Sequence, residues 1–418
     1  MKRRTNILFA LCAAMFTPVY AASVLDVMPS STSPVAISAT GGSYLTFTVK
    51  NNTAKTIKAL SVDPGFGGLG NFLNLSLSNN QCSNLSLSPY ASCSFTVSVK
   101  GINQTATATL MPRVCGFNGV VCSVPVLNNR VTVIASRSMP SSNFPKPYAG
   151  TFYPLYNSGV NQWITPDVSM PFDKVSAIFA SFAHTYQQGN GAVFSFERSQ
   201  VDEPARLALL SQVARGVNPS IKILISLGWG HNDWGYINDD YINHANIFVP
   251  SVIQFIRNNH LDGLDIDNEN IGGTSGSISQ ANFDGVIANL RNALNYASLQ
   301  DGKPYYLTVT PAGDSQQPGG IVDTQVDAQN ASSFDLVNIQ SYFDNGENFA
   351  VNFYQGLLAI GYPMSQIANG INTEGCEPDL PQPFIGLAGL FNWTMSADSA
   401  CNNFEYTKEI AELVGYPK

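Results

Sequence analysis

Two regimes of hydrophobic patterning divide the chain. From about Ala22 to Arg137, apolar and polar residues alternate in short stretches such as SYLTFTVKN, LNLSLSNN, CSFTVSVKG and RVTVIAS, bounded by Gly, Asn and Pro. A period of two puts every second side chain on one face, the pattern of half-buried antiparallel strands. At this spacing the strands predict an all-β sandwich over residues 23–137. The stretch SRSMPSSNFPKP that follows, with three prolines and several serines, reads as a linker over 138–147.

Beyond it the pattern changes. Runs that are apolar nearly throughout begin near Tyr148 (YAGTFYP), Val175 (VSAIFASFA), Lys222 (KILISLG), Leu261 (LDGLDID), Tyr305 (YYLTVTPA), Asp335 (DLVNIQSYF), Ile367 (IANGIN) and Gly389 (GLFNWTM). Strands covered on both faces need that continuity, as parallel strands do. Between them lie segments with apolar residues at three- and four-residue steps, such as ARLALLSQVARG, VPSVIQFIRNNH, NFDGVIANLRNALNYA and NFAVNFYQGLLAIG. Eight strand runs alternating with helices predict an α/β fold, a (β/α)8 TIM barrel over 148–418, with its active site at the C-terminal ends of the strands. A doubly wound open sheet is the alternative, although no GxGxxG turn follows the first strand.

Composition narrows the partner. Only 12% of the 418 residues are charged, with 21 basic against 29 acidic, and no basic run exists to neutralise phosphates. Nucleic acid and anionic membranes are therefore poor partners, and a neutral polar ligand such as a sugar fits better. The start, MKRRTNILFALCAAMFTPVYAAS, has a basic head, an apolar stretch and small residues at Ala21 and Ala22. That is the layout of a secretory signal peptide over 1–22, too short to span a bilayer, and predicts a secreted protein. Of seven cysteines, Cys12 lies in this leader. The even remainder argues for disulfides, and nearest-neighbour pairing (Cys82 with Cys93, Cys115 with Cys122, Cys376 with Cys401) is the simplest of roughly 15 connectivities. His184, His231, His244 and His260 are scattered without metal-ligand spacing, so no metal or other cofactor is expected. A monomer is expected.

The chain's densest chemistry is LDGLDIDNEN, Leu261 to Asn270. On a strand, residues two apart share a face, so Asp265, Asp267 and Glu269 point the same way at about 6 to 7 Å per step. If the strand runs from Leu261 to Asp267, Asp265 is deepest in the barrel, Asp267 next and Glu269 at the mouth. Clustered, partly desolvated carboxylates cannot all ionise, so a proton is shared and the outermost acid is pushed toward neutrality, as a general acid needs. A calcium loop or a solvated acidic turn are the plainer alternatives. Against both, Leu264 and Ile266 alternate with the acids as strand residues do.

DGLDIDNE, Asp262 to Glu269, resembles the DGxDxDxE signature of family 18 glycoside hydrolases, the chitinases and related endo-N-acetylglucosaminidases. SLGW, Ser226 to Trp229, is similar to that family's third-strand SxGG with its last Gly replaced. Gln340 and Tyr342 of IQSYF resemble its sixth-strand QxY, and Trp393 of GLFNWTM its final-strand Trp. The resemblance covers about Lys146 to Lys418. The N-terminal stretch QCSNLSLSPYASCSFTVSVKG separately resembles bacterial immunoglobulin-like modules, so the sandwich is expected to be immunoglobulin-like. It contains no Trp, leaving Tyr44, Tyr90, Phe66 and Phe72 as its candidate sugar contacts; a spacer or stability role is the plainer reading.

The family resemblance implies substrate-assisted hydrolysis, in which the 2-acetamido oxygen of the sugar, not a protein carboxylate, attacks the anomeric carbon. It implies Glu269 as acid/base, Asp267 as the group that orients Glu269 or the acetamido N–H, and Asp265 as holder of a proton shared with Asp267. Tyr342, helped by Gln340, would bond the acetamido oxygen, and Trp393 would stack beneath the sugar. Asp262 and Trp229 join Gln340 and Trp393 among the expected substrate-binding residues, and the loop GWGHNDWGY offers Trp234 and Tyr236. Asn268 and Asn270 stand where many relatives carry aromatic residues, and Asp344 lies one residue late for its family counterpart. The implied substrate is chitin or another N-acetylglucosamine-containing glycan. An endo-β-N-acetylglucosaminidase acting on N-glycans and a non-catalytic lectin stay open beside the chitinase.

Overall fold

The structure is a computed structural model that describes residues 23–417 apart from 32, 66–72, 138–139, 141–142, 198–201, 229–230, 244–245, 269–275, 312–325, 343–348 and 377–385. The expected leader lies outside the described residues, as do Phe66 and Phe72.

The alternating N-terminal stretches form strands. Leu25–Pro29, Gly42–Asn51, Ser92–Gly101 and Leu73–Asn80 make one four-stranded sheet; Val35–Ser38, Val131–Ser136 and Ala106–Leu110 make a second of three strands. Their inward residues, among them Leu45, Phe47, Val49, Phe95, Val97, Val131 and Val133, share one core, so an all-β sandwich results. Cys82 is joined to Cys93, Cys115 to Cys122 and Cys376 to Cys401, the nearest-neighbour set.

All eight apolar runs are strands of one closed barrel: β1 (Tyr148–Pro154), β2 (Ala177–Gln188), β3 (Lys222–Gly228), β4 (Gly263–Asn268), β5 (Tyr306–Pro311), β6 (Leu336–Ile339), β7 (Ile367–Asn372) and β8 (Gly389–Trp393). Each pairs in parallel with the next, and β1 pairs with both β2 and β8, which closes the ring. The four amphipathic segments are helices α1 (Glu203–Val217), α3 (Phe248–Asn258), α4 (Gln280–Asp301) and α5 (Phe349–Ala359). Among the described residues, three more α-helices were not anticipated: α2 (Asp233–Ile242), α6 (Met395–Asn402) and α7 (Glu405–Val414). Ser279 caps α4 by accepting from the Asn282 N–H, and Gly302 closes it in the left-handed conformation.

Strand alternation sorts the apolar residues into two sets. Ile223, Ile225, Leu264, Ile266, Leu307, Val309 and Val337 point outward and join the helices in one core. Tyr148, Phe152, Phe179, Leu224, Tyr306, Leu336 and Phe391 form a separate cluster inside the barrel. Phe144, in the stretch expected to be a linker, is buried in this second cluster, edge-on to Tyr148 and Tyr306 at 5.7 and 5.0 Å. The sandwich also docks on α4: Ser43 Oγ donates to Asn292 Oδ1 at 2.7 Å, and Asn289 Nδ2 donates to the Ser30 carbonyl at 2.7 Å.

Candidate active site

Above the aromatic cluster the barrel interior turns polar. Ser226, Asp265 and Thr308 lie in register on β3, β4 and β5, and Gly228, Asp267 and Thr310 make the next layer toward the C-terminal end. The glycine at the head of the acidic stretch has a steric cause. A Cβ on Gly263 would sit 2.1 Å from the Tyr306 carbonyl oxygen, so any side chain would push β5 away.

Asp265 is fully buried, and among the described residues its side-chain partners are all hydroxyls. Its Oδ2 accepts from Ser226 Oγ at 2.7 Å and Thr310 Oγ1 at 3.1 Å; its Oδ1 accepts from Thr308 Oγ1 at 2.6 Å and Thr310 Oγ1 at 3.1 Å. Burial pushes its carboxyl up to about 6, with the Thr308, Ser226 and Thr310 hydroxyls pulling the other way. The sequence placed the raised carboxyl at the outermost acid, Glu269; burial alone raises Asp265, the deepest one. The layer continues sideways: Asn338 Nδ2 donates to Thr310 Oγ1 at 3.3 Å, and the Tyr148 hydroxyl donates to Asn338 Oδ1 at 3.0 Å. Burial also raises the Tyr148 phenol, so it stays a donor.

Asp267 is buried one layer higher, and its Oδ1 accepts from Gln340 Nε2 at 2.7 Å. Gln340 lies directly beyond the end of β6, and the same amide nitrogen reaches the Thr310 carbonyl at 3.3 Å. Tyr342 is half-buried with its ring 6.2 Å from Phe391. Trp393 ends β8, where its ring packs on Phe152 at 5.2 Å and Phe182 at 5.9 Å, and its Nε1–H donates to Glu374 Oε1 at 2.8 Å. The arrangement gathers two buried carboxylates, an amide, a phenol and an indole at the C-terminal end of the barrel. Glu269, which follows β4, lies outside the described residues with Trp229, Asn270, Asp344 and His244.

Three sequence expectations are corrected. Asp262 is not at the substrate end. It sits at the foot of β4, where it pairs with Arg215 Nη2 at 2.9 Å and Lys303 Nζ at 3.7 Å and accepts from the Ile223 N–H at 3.0 Å. Trp234 is 1% exposed and packs on Phe283 at 5.0 Å, a core residue of α2 with no face free for a sugar, and Tyr236 packs half-buried against the same core. His184 and His231 are not scattered: their rings stack at 3.9 Å.

Sequence reasoning missed the hydroxyl layer, Asn338, Tyr148 and Glu374. The strand parity that points Asp265 inward also points Ser226, Thr308, Thr310 and Asn338 inward, so aligning the apolar runs was the available signal. Glu374 had no comparable one.

A parallel barrel with this carboxylate layer at its C-terminal end defines a family. The model of glycosyl hydrolases family 18 matches residues 153–409, more than half of the chain, and the chain belongs to that family. It is 28% identical to Chitinase A1 of Niallia circulans over 169 residues, 36% of this chain and 23% of that protein. It is 30% identical to Chitotriosidase-1 of Mus musculus over 129 residues, 30% of this chain and 27% of that one. The matches span about a quarter of either relative. The crystal structure of a family 18 chitinase from Cycas revoluta in complex with (GlcNAc)3 has the same fold: the TM-score is 0.50 at 17% identity, covering 64% of this chain and 99% of that one.

Proposed function

We propose that the chain is a retaining glycoside hydrolase that cleaves β-1,4-linked N-acetylglucosamine polymers by substrate-assisted catalysis. The observation that carries this reading is the stacked pair Asp265 and Asp267 inside the barrel, with Gln340 on Asp267. Glu269 is two residues beyond Asp267 in the sequence and is the proposed acid. It protonates the glycosidic oxygen while the substrate's own acetamido oxygen attacks the anomeric carbon from below, giving an oxazolinium-like cation. Water activated by the same Glu269 then opens that cation from the face the leaving group vacated, so the product keeps its β configuration.

Asp267 faces the positive charge that develops and orients the acetamido N–H, with Gln340 holding one of its oxygens. Asp265, whose carboxyl titrates near 6, takes or yields a proton beneath it without leaving its hydroxyl nest. Tyr342 donates to the acetamido oxygen. Trp393, fixed at its edge by Glu374, forms the floor beneath the sugar, and its buried aromatic face contributes on the order of 1 kcal/mol beyond area burial. The leader and the disulfides support secretion, and residues 23–137 and 148–418 are the proposed sandwich and catalytic units.

The test is cleavage of chitooligosaccharides and of an N-glycosylated protein by the native chain and by Glu269→Gln. Native cleavage of chitooligosaccharides with a loss of about 100- to 10,000-fold in the variant is expected, the range a positioned general acid supplies. Cleavage confined to the glycoprotein would move the substrate to N-glycans. Sugar binding without cleavage by either protein would make the chain a lectin, and activity surviving the substitution would mean that another group is the acid.

A further inference from the structure

A second cluster of ionisable side chains stands at the rim of the barrel, apart from the carboxylate layer. It exists because β2 overshoots the barrel: beyond Ala183 it pairs with the strand Gly191–Phe196 as an antiparallel hairpin, with His184 opposite Ser195. Glu197 follows directly on the return strand. His231 follows β3, two residues before the start of α2 at Asp233. Three separate chain segments thus deliver two imidazoles and a carboxylate to one point.

The second layer around them is built. Asp233 is fully buried; its Oδ1 accepts from the Thr185 N–H at 2.5 Å and Oγ1 at 2.8 Å, and its Oδ2 lies 3.1 Å from His184 Nδ1. A carboxylate at that distance places the ring proton on Nδ1, leaving the Nε2 lone pair of His184 directed into the cluster. The Glu197 backbone N–H donates to the buried Glu203 Oε2 at 2.8 Å, which fixes the start of the Glu197 side chain. Glu197 Oε2 then lies 3.7 Å from His184 Nε2 and 2.8 Å from His231 Nε2, and the three candidate ligand atoms lie within 4.8 Å of one another.

These distances suit a metal. Zinc bonds of roughly 2.0 to 2.2 Å in tetrahedral geometry hold ligand atoms about 3.3 Å apart, and the two measured separations bracket that value. His184 is held by Asp233, whereas the His231 side chain is 37% exposed, and a turn of its ring out of the stack with His184 would bring both lone pairs together. Two imidazoles and one carboxylate are a zinc donor set, to which a water would add the fourth ligand.

We infer that His184, His231 and Glu197 form a binding site for a divalent transition-metal ion of the zinc class, with Asp233 orienting His184. The ion fastens the β2 hairpin to the loop between β3 and α2. The site requires nothing of the carboxylate layer, so it stands or falls independently of the proposed hydrolysis.

The experiment titrates zinc into untagged full-length protein stripped with EDTA, in competition with a chromophoric chelator, and records the melting temperature with and without the ion. Every cysteine among the described residues is in a disulfide, so these thiols do not compete. Native protein is expected to take up one equivalent and to melt higher with zinc. Asp233→Asn should bind roughly 10- to 100-fold more weakly, the scale of a lost partner to a ligand histidine. His231→Ala, at a partly exposed position outside every strand and helix, should lose the high-affinity equivalent and the thermal shift together. Zinc uptake equal in native protein and His231→Ala, or none by folded native protein, would overturn the inference.

Discussion

Asp262 and Asp265 lie three residues apart, at the foot and in the middle of the same strand path, and the protein treats their charges in opposite ways. At the foot, Asp262 meets two cations, Arg215 and Lys303, and a backbone N–H. Inside the barrel, Asp265 meets three hydroxyls and, among the described residues, no cation. A cation holds a carboxylate in place by charge. Hydroxyls can donate to the ionised form or accept from the protonated one, so a nest of them leaves the proton free to come and go. The difference explains why one run of acids serves two purposes. The foot fastens the strand, and the interior keeps a carboxyl that burial pushes up to about 6.

The sharpest way to break this contrast is Asp267→Asn. The substitution keeps the side chain's shape beside Gln340 but removes the charge proposed to face the developing cation. Because that interaction strengthens only in the transition state, kcat should fall about 100- to 1,000-fold with little change in melting temperature. An equal rise in KM with kcat unchanged would move Asp267 from chemistry to ground-state binding.

Asp265→Asn sharpens the comparison through stability. The Asp265 carboxyl is pushed up to about 6 from an ordinary value of 3.8, so the folded state holds a proton that the unfolded state has released. Its stabilising share is complete below pH about 4 and is lost as pH rises through about 6, amounting to roughly 3 kcal/mol at about 1.4 kcal/mol per unit. The amide of the variant does not titrate and has no such dependence. Denaturant unfolding of both proteins at pH 4 and pH 7.5 should therefore show the variant gaining about 2 kcal/mol relative to native between the two. A constant difference would mean that Asp265 titrates alike in both states.

How much of this was legible follows from the range of the forces involved. The eight strands and the acidic run were readable because period-two patterning and the Gly263 to Asp267 spacing are local, and parity alone placed Asp265 and Asp267 indoors. Asp262 was misplaced because parity says nothing about which end of a strand a residue occupies, and its partners Arg215 and Lys303 belong to the segments before β3 and β5. Trp234 was read as a loop aromatic because α2 is short and weakly patterned, and only packing against Phe283 on α4 buries it. The His184 and His231 pair needed the overshoot of β2 into a hairpin, a tertiary event with no short-range signature. Glu374 became visible only when β7 and β8 came into register beside it.

The smallest expected effect tests the foot of the strand. Asp262→Ala removes the acceptor from the Ile223 N–H and leaves Arg215, itself only 29% exposed, without its carboxylate. The orphaned backbone donor costs about 1 to 3 kcal/mol, while the partly exposed ion pair adds less than about 1 kcal/mol because water screens it. A domain of this size should then melt about 4 to 8 °C lower. Chitooligosaccharide cleavage by the folded variant should be unchanged, since Asp262 is separated from Asp267 by the aromatic cluster and the hydroxyl layer. A variant that melts like native protein but cleaves far more slowly would return Asp262 to the substrate end and erase the division of labour along the strand.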